Sequence, residues 1–124
     1  YTFYQAVGRR KEATARVRLY VVSEKELIVS GKTLKKGDIV VNNRPVEQYF
    51  ASDVYKKTYL EPFRITNTIG RFAISTLIEG GGSAGQLGAF IHGVSPALEK
   101  VDKEKFRPIL KKSGFLSRDL QQVL

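Results

Sequence analysis

The chain has 124 residues, with 21 lysines and arginines against 12 aspartates and glutamates, a formal net charge of +9, and no cysteine. A chain of this length forms one domain around a single core, and the lack of cysteine excludes disulfides, thiolate metal sites and thiol nucleophiles. No apolar run approaches the roughly 20 residues that cross a bilayer and no signal peptide opens the chain, so the sequence predicts a cytoplasmic protein without a cofactor. Because Tyr1 is not a methionine, we expect trimming at the N-terminal end.

The positive charge is concentrated toward both ends of the chain. Residues 1–44 carry 10 basic and 4 acidic side chains, residues 45–98 carry 4 of each, and residues 99–124 carry 7 and 4. A summed positive field attracts any polyanion, so nucleic acid, an anionic membrane and an acidic protein all remain open as partners.

The first half of the chain reads mainly as short strands. Ala13–Val21 alternates between apolar and polar residues, which predicts a strand with one buried face. Residues 26–30 and 39–41 are β-branched runs between turn signals and read as further antiparallel strands or a hairpin extension, so we expect a sheet of four or five strands. Pro45 opens a predicted short helix over residues 46–50, and a second helix, capped by Ser52 or Asp53, is expected to end near Pro62.

The second half reads as a strand pair followed by helices. Residues 63–66 and 72–79 flank a turn signal and are predicted to form the strand pair. From Leu87 onward apolar residues recur at helical spacing, with a kink or a break expected near residues 92–95 because Pro96 lacks an N–H group. Asp102 is expected to cap a last helix that ends at Lys112, after which Phe115 and Leu116 anchor an irregular tail.

A glycine-rich turn precedes the longest predicted helix. It reads Gly80-Gly81-Gly82-Ser83-Ala84-Gly85-Gln86 and lacks the Gly-Lys-Ser/Thr ending of a nucleotide-binding P-loop. Glycines allow close approach to an anion, and the N–H groups of a following helix point at it. Phosphate binding and a simple tight connection therefore both remain open.

Gly8-Arg9-Arg10-Lys11 places three cations beside a flexible glycine, and Arg16 and Arg18 continue them on the polar face of the next strand. This arrangement suits the phosphates of neighbouring nucleotides better than one small ligand, while a solvated turn is the alternative. Tyr1, Phe3, Tyr4 and Tyr20 lie nearby in sequence and either stack on bases or pack in the core.

No catalytic arrangement is recognisable. His92 has no serine or carboxylate partner at a fixed spacing, so we interpret it as a structural or RNA-facing residue. The carboxylates are scattered among lysines and arginines and form no acid/base pair. We therefore do not expect an enzyme.

Three ordered segments, GRRKEATARV (residues 8–17), GGGSAGQLGA (80–89) and KKSGFLSRD (111–119), closely resemble the family of small-subunit ribosomal protein nine of the bacterial type. The resemblance covers nearly the whole chain. It implies an α+β fold with two layers: a mixed sheet of four to five strands, helices on one face, and a left-handed βαβ crossover like that of domain two of ribosomal protein S five. Residues 1–118 would form one rRNA-binding domain, and residues 119–124 would begin a C-terminal tail.

The function implied by the resemblance is that of a structural constituent of the small ribosomal subunit. Such a protein supports translation in the subunit head, binds the 3′ major domain of the small-subunit rRNA, and touches neighbouring head proteins. The residues expected to face RNA are Arg9, Arg10, Lys11, Arg16, Arg18, Arg44, Arg71, Gly80, Gly81, Gly82, Ser83, Gly85, Gln86, His92, Lys111, Lys112 and Arg118.

The chain departs from this family in three places. The family usually has a basic residue where this chain has Pro96, and residues 23–38 look longer than usual. The family also ends in a basic tail that reaches the peptidyl-site tRNA, which would follow Leu124. We expect the natural chain to continue into such a tail, and no residue here is assigned to tRNA.

Two other classes of function remain alternatives. A small phosphate-binding enzyme module would use the turn at residues 80–86, although no catalytic lysine and aspartate accompany it. A basic interaction protein for acidic partners is the other.

Overall fold

The computed structural model describes residues 2–23, 26–29 and 31–116 of the chain. Its centre is a five-stranded sheet in the order β1-β2-β7-β5-β6, and a separate two-stranded hairpin pairs β3 with β4. The strands are β1 (Thr2–Arg10), β2 (Ala13–Val21), β3 (Glu26–Val29), β4 (Lys32–Lys35), β5 (Ile39–Val41), β6 (Arg44–Pro45) and β7 (Ala73–Glu79). The helices are α1 (Val46–Tyr49), α2 (Asp53–Ile65), α3 (Ser83–Val101) and α4 (Lys103–Lys112).

The sheet is mixed, as expected. Strands β1, β2 and β7 pair antiparallel, whereas β5 and β7 run parallel and are joined by β6, α1 and α2. This connection is the expected βαβ crossover, and its left-handed sense stays a prediction. The α+β class and the two-layer arrangement are confirmed, because α3 packs against β1, β2 and β7 on one face of the sheet.

The main core lies between the sheet and α3. Alternate residues of β2 face the helix and are buried, as the period of two predicted, and so are the inward residues of β7 and α3. The largest fully buried side chains here are Tyr59, Phe90, Phe106, Leu19, Ile74, Leu98 and Leu110. Phe115 and Leu116 also pack against this core, as predicted.

We call the side of the sheet opposite α3 the helix-free face. Its central residues are Gln5 and Val7 of β1, Arg16 and Arg18 of β2, and Ser75 and Leu77 of β7. The β3–β4 hairpin covers one end of it. Tyr20, Val22, Leu34 and Ala73 form a second, smaller core there. The β3–β4 hairpin, within the long segment expected at residues 23–38, thus adds a partial second layer over this face.

One strand was not foreseen, and two local predictions were wrong. Strand β1 was not foreseen, because residues 2–10 lack clean alternation. Residues 63–65 close helix α2 and are not a strand, since burial of Pro62 and Phe63 against the core keeps the helix intact past the proline. Helix α3 likewise continues through Pro96, with Val94, Ala97 and Leu98 all buried, so there is no break at residues 92–95. Packing outweighs the loss of one backbone hydrogen bond at these prolines.

The starts of the helices were predicted well. The Ser52 side chain accepts the backbone N–H groups of Val54 and Tyr55, and that of Asp102 accepts the N–H of Lys105. Pro45 is the N-cap of α1, directly before its first residue. None of the described helices is long and apolar enough to cross a membrane.

Candidate nucleic-acid interface

The cations at residues 9–11 point in different directions. Gly8 faces α3, so strand alternation puts Arg9 on the helix-free face and Arg10 on the helix side, where its stem lies over Gly88. Lys11 is exposed at the tip of the β1–β2 hairpin with a φ of 55°. The expectation that Arg16 and Arg18 continue all three cations on one surface is therefore wrong, because only Arg9 shares a face with those two residues.

Gly8 is not the flexible residue that the sequence suggested. A Cβ on Gly8 would overlap the carbonyl oxygen of Ala89 and the backbone nitrogen of Gly93, and it would lie 2.7 Å from the carbonyl carbon of His92. Glycine is needed because the strand and helix backbones touch at this crossing.

The glycine turn packs onto the tip of the β1–β2 hairpin. Gly80 and Gly81 have φ values of 81° and 66°, which residues with a Cβ adopt only with strain. A Cβ on Gly80 would also overlap the carbonyl oxygen of Glu12. The fold thus brings the turn beside Arg10 and Lys11, which lie some 70 residues earlier in the chain.

Helix α3 begins at this junction without a side-chain cap. Gly82 is the N-cap, no acidic residue stands in the first turn, and the first helical bond runs from the N–H of Gln86 to the carbonyl of Gly82. The N–H groups at the start of a helix have no partner within the helix and carry partial positive charge. We call Arg10, Lys11 and Gly80–Ser83 the turn surface. It joins two cations to the positive end of a helix, which suits a phosphate group.

A hydrogen-bond network that the sequence did not reveal holds the turn in place. Asn42 takes the position of a strand residue: its side-chain oxygen accepts the N–H of Ile78 at 2.8 Å, and its amide donates to the Ile78 carbonyl at 2.9 Å. The same amide reaches the hydroxyl of Tyr49, which donates to Gln86 Oε1 at 2.6 Å, and Gln86 Nε2 donates to the Gly80 carbonyl. Gln86, expected to face RNA, therefore positions the turn.

We expect Gly80→Ala to destabilise the protein by about 2 to 3 kcal/mol, because the new Cβ meets both the positive φ and the Glu12 carbonyl. Gly82→Ala is the matched control. Its φ is −97° and its Cβ would meet open space, so it should cost at most about 1 kcal/mol as a poorer N-cap. Urea denaturation of both variants checks this, and equal losses would contradict the packing of Gly80 on the hairpin.

His92 is buried, with only 4% of its surface exposed, and its Nδ1 lies 2.7 Å from the backbone carbonyl of Arg9. Burial lowers the pKa of the imidazole, the Arg9 carbonyl opposes this, and the charge of Arg10 adds to the lowering. The ring is therefore neutral near pH 7, and Nδ1–H donates to the carbonyl. This favours the structural interpretation of His92.

Two side chains of helix α3 also reach the open edge of the sheet at β1. Lys100 Nζ donates to the carbonyl of Gln5 at 2.6 Å, so that Lys100 and His92 engage two outward carbonyls of β1, those of Gln5 and Arg9. Exposed strand edges invite pairing with other chains, and these contacts work against it.

We expect protonation of His92 to destabilise the fold. Its pKa is lowered in the folded state, so the unfolded chain binds the proton more tightly and stability falls as pH drops below about 6.5. His92→Gln keeps an N–H donor for Arg9 and should lose less stability between pH 7.5 and 5.5 in urea titrations. Because this is the chain's only histidine, an equal loss in both proteins would contradict the prediction.

The other residues that were expected to face RNA are not part of the turn surface. Arg44 is on β6, at the opposite edge of the sheet from β1, and Arg71 precedes β7 with its guanidinium 5.2 Å from the Phe72 ring centre. Lys111 and Lys112 are exposed in the last turn of α4, and Gly85 is buried in the first turn of α3. Arg118 falls outside the described residues.

The aromatic residues divide between the core and the surface. Tyr20 is buried in the smaller core, Tyr4 is half-buried against the main core, and Phe3 is exposed on the helix-free face. Tyr1 lies outside the described residues. Within those residues, no group of histidine, aspartate and glutamate side chains is arranged to hold a metal ion.

Comparison with known proteins decides the family. The sequence model of the family described as ribosomal protein S9/S16 matches residues 8–124, nearly the whole chain. The chain belongs to the ribosomal protein S9/S16 family. Two of the segments that resemble the family, residues 8–17 and 80–89, contain the two halves of the turn surface, the hairpin tip and the glycine turn.

Individual relatives agree with the S9/S16 assignment. The small ribosomal subunit protein uS9 of Rickettsia conorii is 44% identical over 120 residues, which is 97% of this chain and 67% of the relative. The protein of the same name from Rickettsia felis is 42% identical, over 97% of this chain and 66% of the relative. The chain thus spans about two thirds of the length of these relatives.

Proposed function

We propose that this chain is a structural constituent of the small ribosomal subunit and that it binds the 3′ major domain of the small-subunit rRNA in the subunit head. Membership of the S9/S16 family and the uS9 relatives support the ribosomal role. The net charge of +9 supports an RNA partner, because phosphate contacts dominate the affinity of such proteins.

The observation that carries the proposal is the turn surface. Lys11 at the hairpin tip lies beside the uncapped first turn of α3, which holds no acidic residue, and the Arg10 side chain lies over Gly88 in the next turn of the same helix. Backbone N–H groups and basic side chains that converge in this way bind phosphate oxygens without reading base sequence. Such a surface fixes the position of a folded RNA, which is the task of a structural ribosomal protein.

The partners of this function are rRNA and ribosomal proteins. We further propose that the adjacent proteins are those of the subunit head. We assign contact with the peptidyl-site tRNA to no residue of this chain.

Sedimentation tests the proposal. The tagged chain, mixed with small subunits depleted of their own S9 protein, should migrate with the subunit, and a transcript of the 3′ major domain should bind more tightly than one of the 5′ domain. ATP should not displace the transcript. Equal binding of both domains, or displacement by ATP, would contradict the proposal and favour a general polyanion-binding protein or a nucleotide-binding module.

A further inference from the structure

A second recess lies on the side of the sheet away from α3. The helix-free face and the β3–β4 hairpin enclose an open cleft of about 930 Å³. Its floor includes Val7, Arg16, Arg18 and Leu77, and Lys32 lines it from the hairpin. The turn surface contributes no residue to the cleft.

The cleft is positively charged. Arg16, Arg18, Lys32 and Lys100 line it, and none of the described lining residues is acidic. The nearest carboxylate in register on this face is that of Glu79, which lies two residues beyond Leu77 on β7 and opposite Thr14 of β2. Among the described residues, neither arginine has an ion pair, although Arg18 lies 5.4 Å from the ring centre of Phe3. The ligand of this cleft is therefore anionic.

The floor also carries exposed apolar side chains. Val7 and Leu77 are the direct neighbours of Arg16 in register, and they are 47% and 57% exposed. An RNA duplex presents phosphates and 2′-hydroxyls outward and keeps its base faces stacked inside. Only unpaired bases can bring apolar faces against Val7 and Leu77 while arginine guanidiniums stack on bases or bind phosphates.

A peptide partner fits this place less well. Extended peptides commonly dock by adding a strand to a free sheet edge, and here Lys100 and His92 already engage outward carbonyls of β1. The cleft is also partly open to solvent, which gives an extended nucleic-acid strand access to its floor.

We propose that the cleft binds an unpaired segment of RNA, separately from the turn surface. This inference rests on the proposed rRNA-binding function and adds a second contact to it. Arg16 and Arg18 hold the phosphates or stack on bases, Lys32 adds charge from the hairpin side, and Val7 and Leu77 contact base faces.

The test compares a short unpaired oligoribonucleotide with the same strand paired to its complement, by fluorescence anisotropy with the full chain. We expect tighter binding of the unpaired strand. Arg16→Gln/Arg18→Gln should weaken that binding roughly tenfold or more. Arg64→Gln/Arg107→Gln removes the same charge from exposed positions on α2 and α4 and should have a much smaller effect.

A second pair of variants tests the apolar floor at constant charge. Leu77→Ser should weaken binding of the unpaired strand about threefold, whereas Val54→Ser, which is 72% exposed on α2, should leave it unchanged. All four variants of the two pairs replace exposed residues only, so thermal melting should confirm that each variant folds.

Three results would overturn the inference: equal affinity for paired and unpaired strands, equal losses in the cleft and control variants, or displacement of the oligonucleotide by an acidic peptide but not by unlabelled RNA. The last result would assign the cleft to an acidic protein. Binding of the 3′-domain transcript is measured in parallel. If the transcript still binds and Arg10→Gln/Lys11→Gln still weakens it, the cleft inference alone has failed and the proposed function stands.

Discussion

Replacement of Gly8 by alanine should destabilise this protein by about 3 kcal/mol or more and lower its melting temperature by about 10 °C or more. The added Cβ would overlap backbone atoms of Ala89 and Gly93 in α3, and backbone inside a helix cannot move aside as a side chain does. The strand and the helix would have to separate where their backbones cross most closely. Thermal unfolding followed by circular dichroism measures the effect.

Gly85→Ala is the matched control, because Gly85 lies in α3, the helix that Gly8 contacts. Its Cβ would lie 3.5 Å from the Arg10 carbonyl oxygen, an ordinary contact, so the variant should be as stable as the wild type or up to about 1 kcal/mol more stable. A Gly8 variant that melts with the wild type would contradict the close crossing of β1 and α3.

The partner glycine of the crossing gives an independent check. A Cβ on Gly93 would lie 2.6 Å from Val17 Cγ2, so Gly93→Ala should be destabilising and Val17→Ala should relieve part of the strain. The double variant should therefore be more stable than the sum of the two single losses predicts, which a double-mutant cycle measures.

Loss of the two turn-surface cations should flatten the salt dependence of RNA binding. Each neutralised phosphate contributes about 0.7 to 0.9 to the slope of log affinity against log salt, so Arg10→Gln/Lys11→Gln should lower the slope by about 1.4 to 1.8. At ~0.1 M salt this corresponds to an affinity loss of roughly 25- to 60-fold. Glutamine keeps most of the Arg10 stem that lies over Gly88, so packing is largely retained. Filter binding of the 3′-domain transcript at several salt concentrations measures the slope.

The same measurement on Arg64→Gln/Arg107→Gln separates specific contacts from overall charge. Those arginines lie on α2 and α4, outside the turn surface, and Arg64 pairs with Glu61 at the protein surface. Their loss should change the slope much less. If both double variants flatten the slope equally, the turn surface is not the RNA interface and the binding depends on net charge alone.

The predictions that succeeded rest on local patterns. The alternation of Ala13–Val21 identified β2 and its buried face, and Ser52 and Asp102 marked helix starts through hydrogen bonds to N–H groups a few residues away. These signals are local because side-chain direction in a strand and capping at a helix end depend on neighbouring residues only.

The predictions that failed needed knowledge of packing. Pro62 and Pro96 read as helix breakers, but burial of their neighbours in the core keeps α2 and α3 continuous. Gly8 read as a flexible neighbour of cations, although a helix 80 residues later requires the absence of its Cβ. No local signal distinguishes a glycine kept for close approach from one in a loop.

The sequence by itself determined the class of the protein: a basic, cysteine-free α+β domain whose three ordered segments mark it as a member of a ribosomal protein family. Charge, periodicity and motif order can be read from the sequence because they do not depend on the tertiary structure. Only the tertiary structure decided how the cations are grouped. It separated Arg9 from Arg10, joined Lys11 to the glycine turn, and placed Arg16 and Arg18 in a cleft under the β3–β4 hairpin. These groupings depend on strand register and on contacts between distant segments, which follow from packing the whole core.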